Sequence, residues 1–228
     1  MTELTAKDIR NLVGSSPLMV ECGANDGTDT QRFLDAMPGI RLYCFEPDPR
    51  AIRRFKATIH DDRCTLIEAA VSDIDGEAIF HGSSGQAPES SRTPNAPACV
   101  FLKDWDLSGS LCKPTGHLSY SPWVSFPADR EYTVQTVTLD TWLDEHFDLR
   151  VIDFIWCDTQ GGEGLVVRGG VEMLRKTRWF YCETYANPLY EGQPTTKDFL
   201  ALIEKLLPEY KFVSQHGDNI LCKNTAMV

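Results

Sequence analysis

Leu18-Met19-Val20-Glu21-Cys22-Gly23-Ala24-Asn25-Asp26-Gly27 is the stretch on which the reading of this chain turns. An apolar run closes on Glu21, two glycines follow four residues apart at 23 and 27, and a helical pattern starts at Thr28. Strand, tight glycine turn and helix N-terminus in that order make a place where a nucleotide-like ligand lies against bare backbone. The spacing is Glu-x-Gly-x-x-x-Gly. It is not the Gly-x-Gly-x-x-Gly that cradles a dinucleotide pyrophosphate.

Outward from that turn, apolar strand runs alternate with helical patterns. Strands are expected at 18–22, 41–46, 64–71, 152–158 and 178–183, and helices at 28–36, 49–58, 163–174 and 195–207. Asp48 before Pro49 supplies an N-cap acceptor ahead of a first-turn proline, and Gly169-Gly170 marks a loop or kink in the third helix. Near the end, Tyr210 to Val213 and Ile220 to Cys222 flank the turn residues Gly217-Asp218-Asn219, which reads as an antiparallel hairpin. The fold expected is α/β, doubly wound and Rossmann-like, with a mostly parallel sheet closed by that hairpin.

The chain has 228 residues, enough for a single domain over 1–228. Its net charge of −11 argues against non-specific nucleic-acid binding. The basic positions Arg50, Arg53, Arg54 and Lys56 read as a solvated helix face. No apolar run reaches the roughly 18 residues that span a bilayer, and the N-terminus lacks a signal-peptide pattern. Of eight cysteines, Cys22, Cys44, Cys157 and Cys182 fall inside strand-like apolar runs, as small buried hydrophobes do. The expectation is a reduced, soluble, cytoplasmic protein. Residues 82–130 break the rhythm, rich in Ser, Pro and Gly yet carrying Phe101, Trp105, Tyr120, Trp123 and Phe126. So long a loop within a compact domain reads as a lid or substrate-recognition insertion.

Ligands of doubly wound sheets sit beyond the carboxyl ends of the strands, and chemistry-bearing residues follow each one. After the first strand, Gly23, Ala24, Asn25 and Gly27 let backbone approach a ligand, with Glu21 or Asp26 to meet an ammonium group. Such an acidic seat suits a cofactor with a cationic amino-acid tail, of which S-adenosylmethionine is one. Glu46 can accept both hydroxyls of a ribose. Val71, Ser72 and Asp73 stand where an adenine would lie. Asp158 ends the fourth strand before Gly161-Gly162, and Glu183 ends the fifth. Asp158 is the first candidate for a base or for orienting a nucleophile, with His81 and His117 as alternatives that titrate near neutrality. Asp158 and Glu183, with Gln160 or Glu163, could hold Mg²⁺. Electrostatic complementarity to a sulfonium is the simpler use of the same carboxylates.

Together these residues resemble the FkbM-type S-adenosylmethionine-dependent methyltransferases. The resemblance rests on 20–27, Phe45-Glu46-Pro47, Ala70-Val71-Ser72, Val137-Thr138-Leu139-Asp140, and Ile152-Asp153-Phe154-Ile155 running into Asp158 and Gly161. It implies a class I, seven-stranded fold, Pro47 beside the cofactor, and methyl transfer to a hydroxyl of a sugar or secondary metabolite. The family's fourth-strand motif is Lys-x-Asp-Val-Glu-Gly. Here Trp156 holds the Lys place and Thr159-Gln160 replace Val-Glu. Two other readings stand beside this one: an NAD-dependent or sugar-nucleotide-modifying enzyme on the same fold, and a regulatory protein that binds the cofactor without transferring its methyl group.

Overall fold

The computed structural model describes residues 3–89, 104–146 and 151–227. In chain order the elements begin α1 (Ala6–Val13), β1 (Leu18–Cys22), α2 (Thr28–Ala36), β2 (Arg41–Phe45), α3 (Pro49–Thr58), β3 (Cys64–Ile67), β4 (Ala70–Val71) and β5 (Gly76–His81). Then come β6 (Ser84–Gly85), α4 (His117–Tyr120), β7 (Val124–Ser125), β8 (Glu131–Val137), α5 (Leu139–Asp144) and β9 (Ile152–Cys157). The last are α6 (Glu163–Gly169), α7 (Val171–Arg175), β10 (Thr177–Glu183), α8 (Thr196–Leu206), β11 (Tyr210–His216) and β12 (Asn219–Asn224).

The main sheet has seven strands in the order β11-β12-β10-β9-β1-β2-β3. β1 pairs in parallel with both β2 and β9, while β12 runs antiparallel to β10 and β11. The chain therefore starts at the centre, winds outward to β3, and returns to the other side of β1. That reversal of winding makes the gap between β1 and β9 the switch point of a doubly wound fold.

Side chains alternate across each strand, so each face has its own core. Met19, Phe154 and Trp156 face α1 to α3 with Phe33, Leu34 and Phe55. Val20, Cys22, Ile155 and Cys157 face α5 to α8 with Trp142, Val166, Met173 and Phe199. Cys22, Cys157 and Cys182 stand in register on three neighbouring strands of this second face. Among the described residues no helix is long and apolar enough to cross a membrane.

The helices at 28–36 and 49–58 fall at the expected residues, with Asp48 accepting from the Arg50 N–H as N-cap. The helix expected over 163–174 is divided into α6 and α7. A Cβ on Gly169 would lie 2.0 Å from the Ser72 carbonyl oxygen, so backbone-to-backbone packing, not flexibility alone, requires glycine there. The strand expected over 64–71 also breaks. β3 belongs to the main sheet, whereas β4 joins β8 and β5 in a separate three-stranded sheet. This second sheet, formed around the Asp75-Gly76 turn, adds strands to those expected: Glu131–Val137 alternates exposed and more buried positions as a one-sided strand does, at the border of the Ser-, Pro- and Gly-rich stretch. The insertion is less irregular than expected, since β6 pairs with β7 and the Trp105 and Trp123 rings meet edge-on at 4.6 Å. Phe101 lies outside the described residues.

Candidate functional site

Five strand ends and the insertion enclose a cleft of about 340 Å³ over the switch point. Its floor is the meeting of the β1 and β9 loops. Asp158 N–H donates to Cys22 O at 2.9 Å, and a Cβ on Gly23 would lie only 1.8 Å from the Asp158 carbonyl. Gly23 also has φ +90°, so only glycine allows the two loops to touch and leave the space above them open.

The wall after β2 is built on Glu46. It is buried, and its carboxylate accepts the Asn25 N–H at 2.8 Å on one oxygen and the Asp48 N–H at 2.7 Å on the other. Each oxygen retains a lone pair for a further donor. Burial pushes its carboxyl up to about 7 against those backbone hydrogen bonds. Phe45, Pro47, Ala69, Ala70, Val71 and Phe80 give this side of the lining its apolar character.

Opposite lies a carboxylate cluster. The Gln160 amide Nε2 donates to Asp158 Oδ1 at 2.7 Å and to Glu183 Oε2 at 2.8 Å, and Tyr185 donates to Glu183 Oε1 at 2.8 Å. Gln160 holds φ +53° to do so. The Tyr190 hydroxyl has one proton between two acceptors, Ser108 O at 2.9 Å and Gln160 Oε1 at 3.2 Å. Desolvation raises the carboxyls of both Asp158 and Glu183, the latter strongly with the neighbouring Asp158 charge adding to it. Glu163 is buried beneath, accepting from Thr159 N–H, Thr159 Oγ1 and Gly161 N–H, and burial raises it to about 7.

Asp158, Glu163 and Glu183 offer oxygens within 4.8 Å of one another. The Gln160 nitrogen bridges two of these carboxylates and three donors satisfy the third, so protein hydrogen bonds already serve the group.

The insertion roofs the cleft with Trp105 to Leu111 and brings in His117. His117 is 5% exposed, packs edge-on against Tyr190 at 4.8 Å, and has no hydrogen-bond partner on either ring nitrogen among the described residues. Desolvation lowers its pKa and so favours the neutral ring.

Several expected residues lie elsewhere. Glu21 shares its strand face with Met19, so it points beneath α2 rather than into the cleft. There it accepts from Thr30 Oγ1 at 2.6 Å and Cys44 Sγ at 3.2 Å, and burial raises it to about 8. Asp26 accepts from Thr28 N and Oγ1 at the entrance to α2. Ser72 and Asp73 are turned away, Asp73 to Arg168 at 3.0 Å, leaving Ala69 to Val71 as the wall. His81 pairs with Glu131 at 3.0 Å outside the cleft lining. Ala24 and Gly27 shape the turn without lining the cleft.

The basic face of α3 is solvated only in part: Arg53 and Lys56 are exposed as expected, whereas Arg50 and Arg54 are not. Arg50 is 5% exposed and reaches Asp48, Asp104 and the Ser83 carbonyl, while Arg54 pairs with Asp106. These arginines fasten the insertion down. Asp104 and Asp106 lie 54 and 52 residues from their arginines, and nothing local in the sequence announces them. Trp156, in the place of the family's Lys, packs on Phe33 and Tyr181 away from the cleft.

Among the described residues, five carboxylates line the cleft (Asp29, Glu46, Asp106, Asp158 and Glu183) and no Lys or Arg does. Such a lining repels a pyrophosphate and suits a ligand carrying sulfonium and ammonium charge. Fold and site together define a class I methyltransferase-type cofactor cleft. The FkbM methyltransferase domain matches residues 21–214, and the chain belongs to that family. It is an S-adenosylmethionine-dependent methyltransferase, and the dinucleotide alternative is set aside. The chain is 41% identical over 217 residues to the 2-O-methyltransferase NoeI of Sinorhizobium fredii, covering 92% of this chain and 81% of that protein. Among solved structures it resembles Aeropyrum pernix fibrillarin with natively bound S-adenosyl-L-methionine, at 12% identity and TM-score 0.47, covering 97% of this chain and 70% of that one. It also resembles the N-terminal domain of EvdMO1 with S-adenosylhomocysteine bound, at 10% identity and TM-score 0.45, covering 96% and 76%.

Proposed function

We propose that the protein transfers a methyl group to a hydroxyl of a neutral, sugar-like small molecule, with His117 as general base. The observation that carries this is the buried His117 ring, lining the cleft with both nitrogens unpartnered among the described residues. A hydroxyl must lose its proton as it attacks. One imidazole nitrogen takes that proton, the oxygen forms the new bond to the methyl carbon, and the C–S bond breaks with its electrons passing to sulfur. S-adenosylhomocysteine and the methyl ether are the products.

The rest of the cleft serves as a holder. Glu46 faces the ribose, the Phe45 and Ala69 to Val71 surfaces take the adenine, and Asp158, Glu183 and Asp29 add negative charge around the cationic end. Positioning of nucleophile and methyl at roughly 3 Å supplies much of the barrier reduction. An acidic cleft disfavours phosphate-bearing and nucleic-acid acceptors. Trp105 and Tyr185 offer flat surfaces to a sugar ring. The NoeI name directs attention to a 2-hydroxyl on the acceptor. Residues 82–130 act as the lid of one domain, and the buried thiols Cys157 and Cys182 suit a reducing cytoplasm.

The test is labelled-methyl transfer to free sugars and glycosides bearing an unsubstituted 2-hydroxyl, with wild type and His117→Gln. Wild type should turn over, and His117→Gln should lose about 10²- to 10⁴-fold in kcat, the usual worth of a general base, at unchanged cofactor affinity. The acid limb of the wild-type rate profile should lie below the ordinary histidine range, because burial lowers the His117 pKa, and should vanish in the variant. Equal rates would remove His117 from the chemistry. Cofactor binding without transfer to any hydroxylated acceptor would favour the regulatory alternative.

A further inference from the structure

Asp106 sits on the insertion yet belongs to the cleft wall. The residue is 4% exposed and its side chain is fully shielded from solvent. One carboxylate oxygen, Oδ2, is held by the Arg54 guanidinium of α3. The other, Oδ1, has no hydrogen-bond partner among the described residues. Asn25 stands beside it, its Nδ2 3.5 Å from the Asp106 carbonyl oxygen and its N–H donated to Glu46. Asn25 Oδ1 is also buried without a partner among the described residues.

Two shielded acceptors, both on cleft-lining residues beside Glu46, therefore keep their lone pairs unspent. Buried acceptors without donors carry an uncompensated desolvation cost, and such groups mark a missing partner. The partner must bring several donors to one small region and tolerate an anion there. Asn25 belongs to the β1 turn, donates its N–H to Glu46 and stands against Asp106, so both acceptors lie on the side of the cleft assigned to the cofactor.

We propose that Asp106 is a cofactor-binding residue: its free oxygen, with Asn25 Oδ1, takes hydrogen-bond donors of S-adenosylmethionine, so that the insertion closes on the cofactor through a direct contact. This rests on the methyltransferase reading. The donors are either the ribose hydroxyls or the α-ammonium group, and both are donors that an anionic acceptor strengthens. Arg54 is then a positioning residue, fixing Asp106 from behind. Asp104 has a separate part, pairing with Arg50 at 3.2 Å and Arg130 at 3.5 Å without lining the cleft.

The experiment is calorimetry on the full chain with S-adenosylhomocysteine and with 5′-methylthioadenosine, which keeps the ribose and lacks the amino-acid tail. Wild type, Asp106→Asn and Asp104→Asn are compared, the last loosening the insertion without touching the cleft. Asp106→Asn should weaken S-adenosylhomocysteine about 10- to 100-fold, as loss of a hydrogen bond to a charged group does, and Asp104→Asn much less. An equal loss for methylthioadenosine places the contact on the ribose, and a loss confined to S-adenosylhomocysteine places it on the ammonium group. Both outcomes support the assignment. Unchanged affinity in Asp106→Asn overturns it, as does an equal loss in Asp104→Asn, which would make the aspartate a fastening only. Wild type that binds neither ligand would overturn the cofactor reading itself, and the assignment with it.

Discussion

Gln160 shows how one side chain sets the charge state of a wall. Its amide nitrogen lies between Asp158 and Glu183, the position where the family motif carries Glu. Replacing it with Glu at constant shape puts a third carboxylate against two whose pKa values are already raised by burial. The new group would itself have a raised folded pKa, so it is tolerated when protonated and penalised as pH rises through that value. Gln160→Glu should therefore unfold in urea much as wild type does at pH 5, and lose about 1–3 kcal/mol at pH 8. A deficit independent of pH would mean that the amide acts through shape alone. The sequence marked this position as a departure from the motif. It did not reveal the bridge, because Glu183 lies on another strand and the left-handed backbone at 160 is not written in the residue type. His117 presents the same limit, since a lone histidine in an irregular loop says nothing of the Tyr190 ring it packs on.

Helices and strands were legible where local chemistry punctuates them. Asp48-Pro49 fixes the start of α3, and the apolar runs of β1, β2 and β9 were readable to within a residue. Breaks set by tertiary contact were less so. The chain leaves the main sheet between β3 and β4 although its apolar pattern continues. The boundary between α6 and α7 was visible as Gly169-Gly170, but its cause is the Ser72 carbonyl pressed against Gly169. Gly169→Ala should force that helix end off the strand-side backbone and cost about 1–3 kcal/mol, the usual range for overpacking. Equilibrium unfolding measures it, and a neutral result would show that α6 shifts freely. Because Ser72 follows the Ala69 to Val71 wall, the same variant should also weaken binding of the adenine portion.

Across the whole molecule, buried carboxyls couple stability to pH and to the ligand. Glu21 is raised to about 8, Glu46 and Glu163 to about 7, and Asp158 and Glu183 are raised as well. A carboxyl with a raised folded pKa binds its proton more tightly folded than unfolded. Its contribution is complete below the unfolded value near 4.5 and is lost as pH climbs through the folded one. The free protein should lose thermal stability steadily from about pH 5.5 to about pH 8.5. A cationic cofactor favours the ionised forms of Asp158 and Glu183, so the stabilisation conferred by S-adenosylmethionine should grow over the same interval. Thermal midpoints with and without cofactor at both ends test this, and a stabilisation independent of pH would separate the carboxylates from the ligand's charge.

The register of Cys22, Cys157 and Cys182 across three central strands has a kinetic consequence. Burial pushes the Cys157 and Cys182 thiols well up, so an alkylating reagent reaches this row through transient opening of the α6 face. Cys64 is half-buried and its thiol is lowered by the hydrogen bond with Cys44, so among the described cysteines it should be modified first. Cys112, half-buried and raised to about 11, should follow it. Peptide mapping along the time course then separates surface reactivity from breathing at the switch point. The central row thus times how often the floor of the catalytic cleft comes apart, and cofactor should lengthen that interval while leaving Cys64 unaffected.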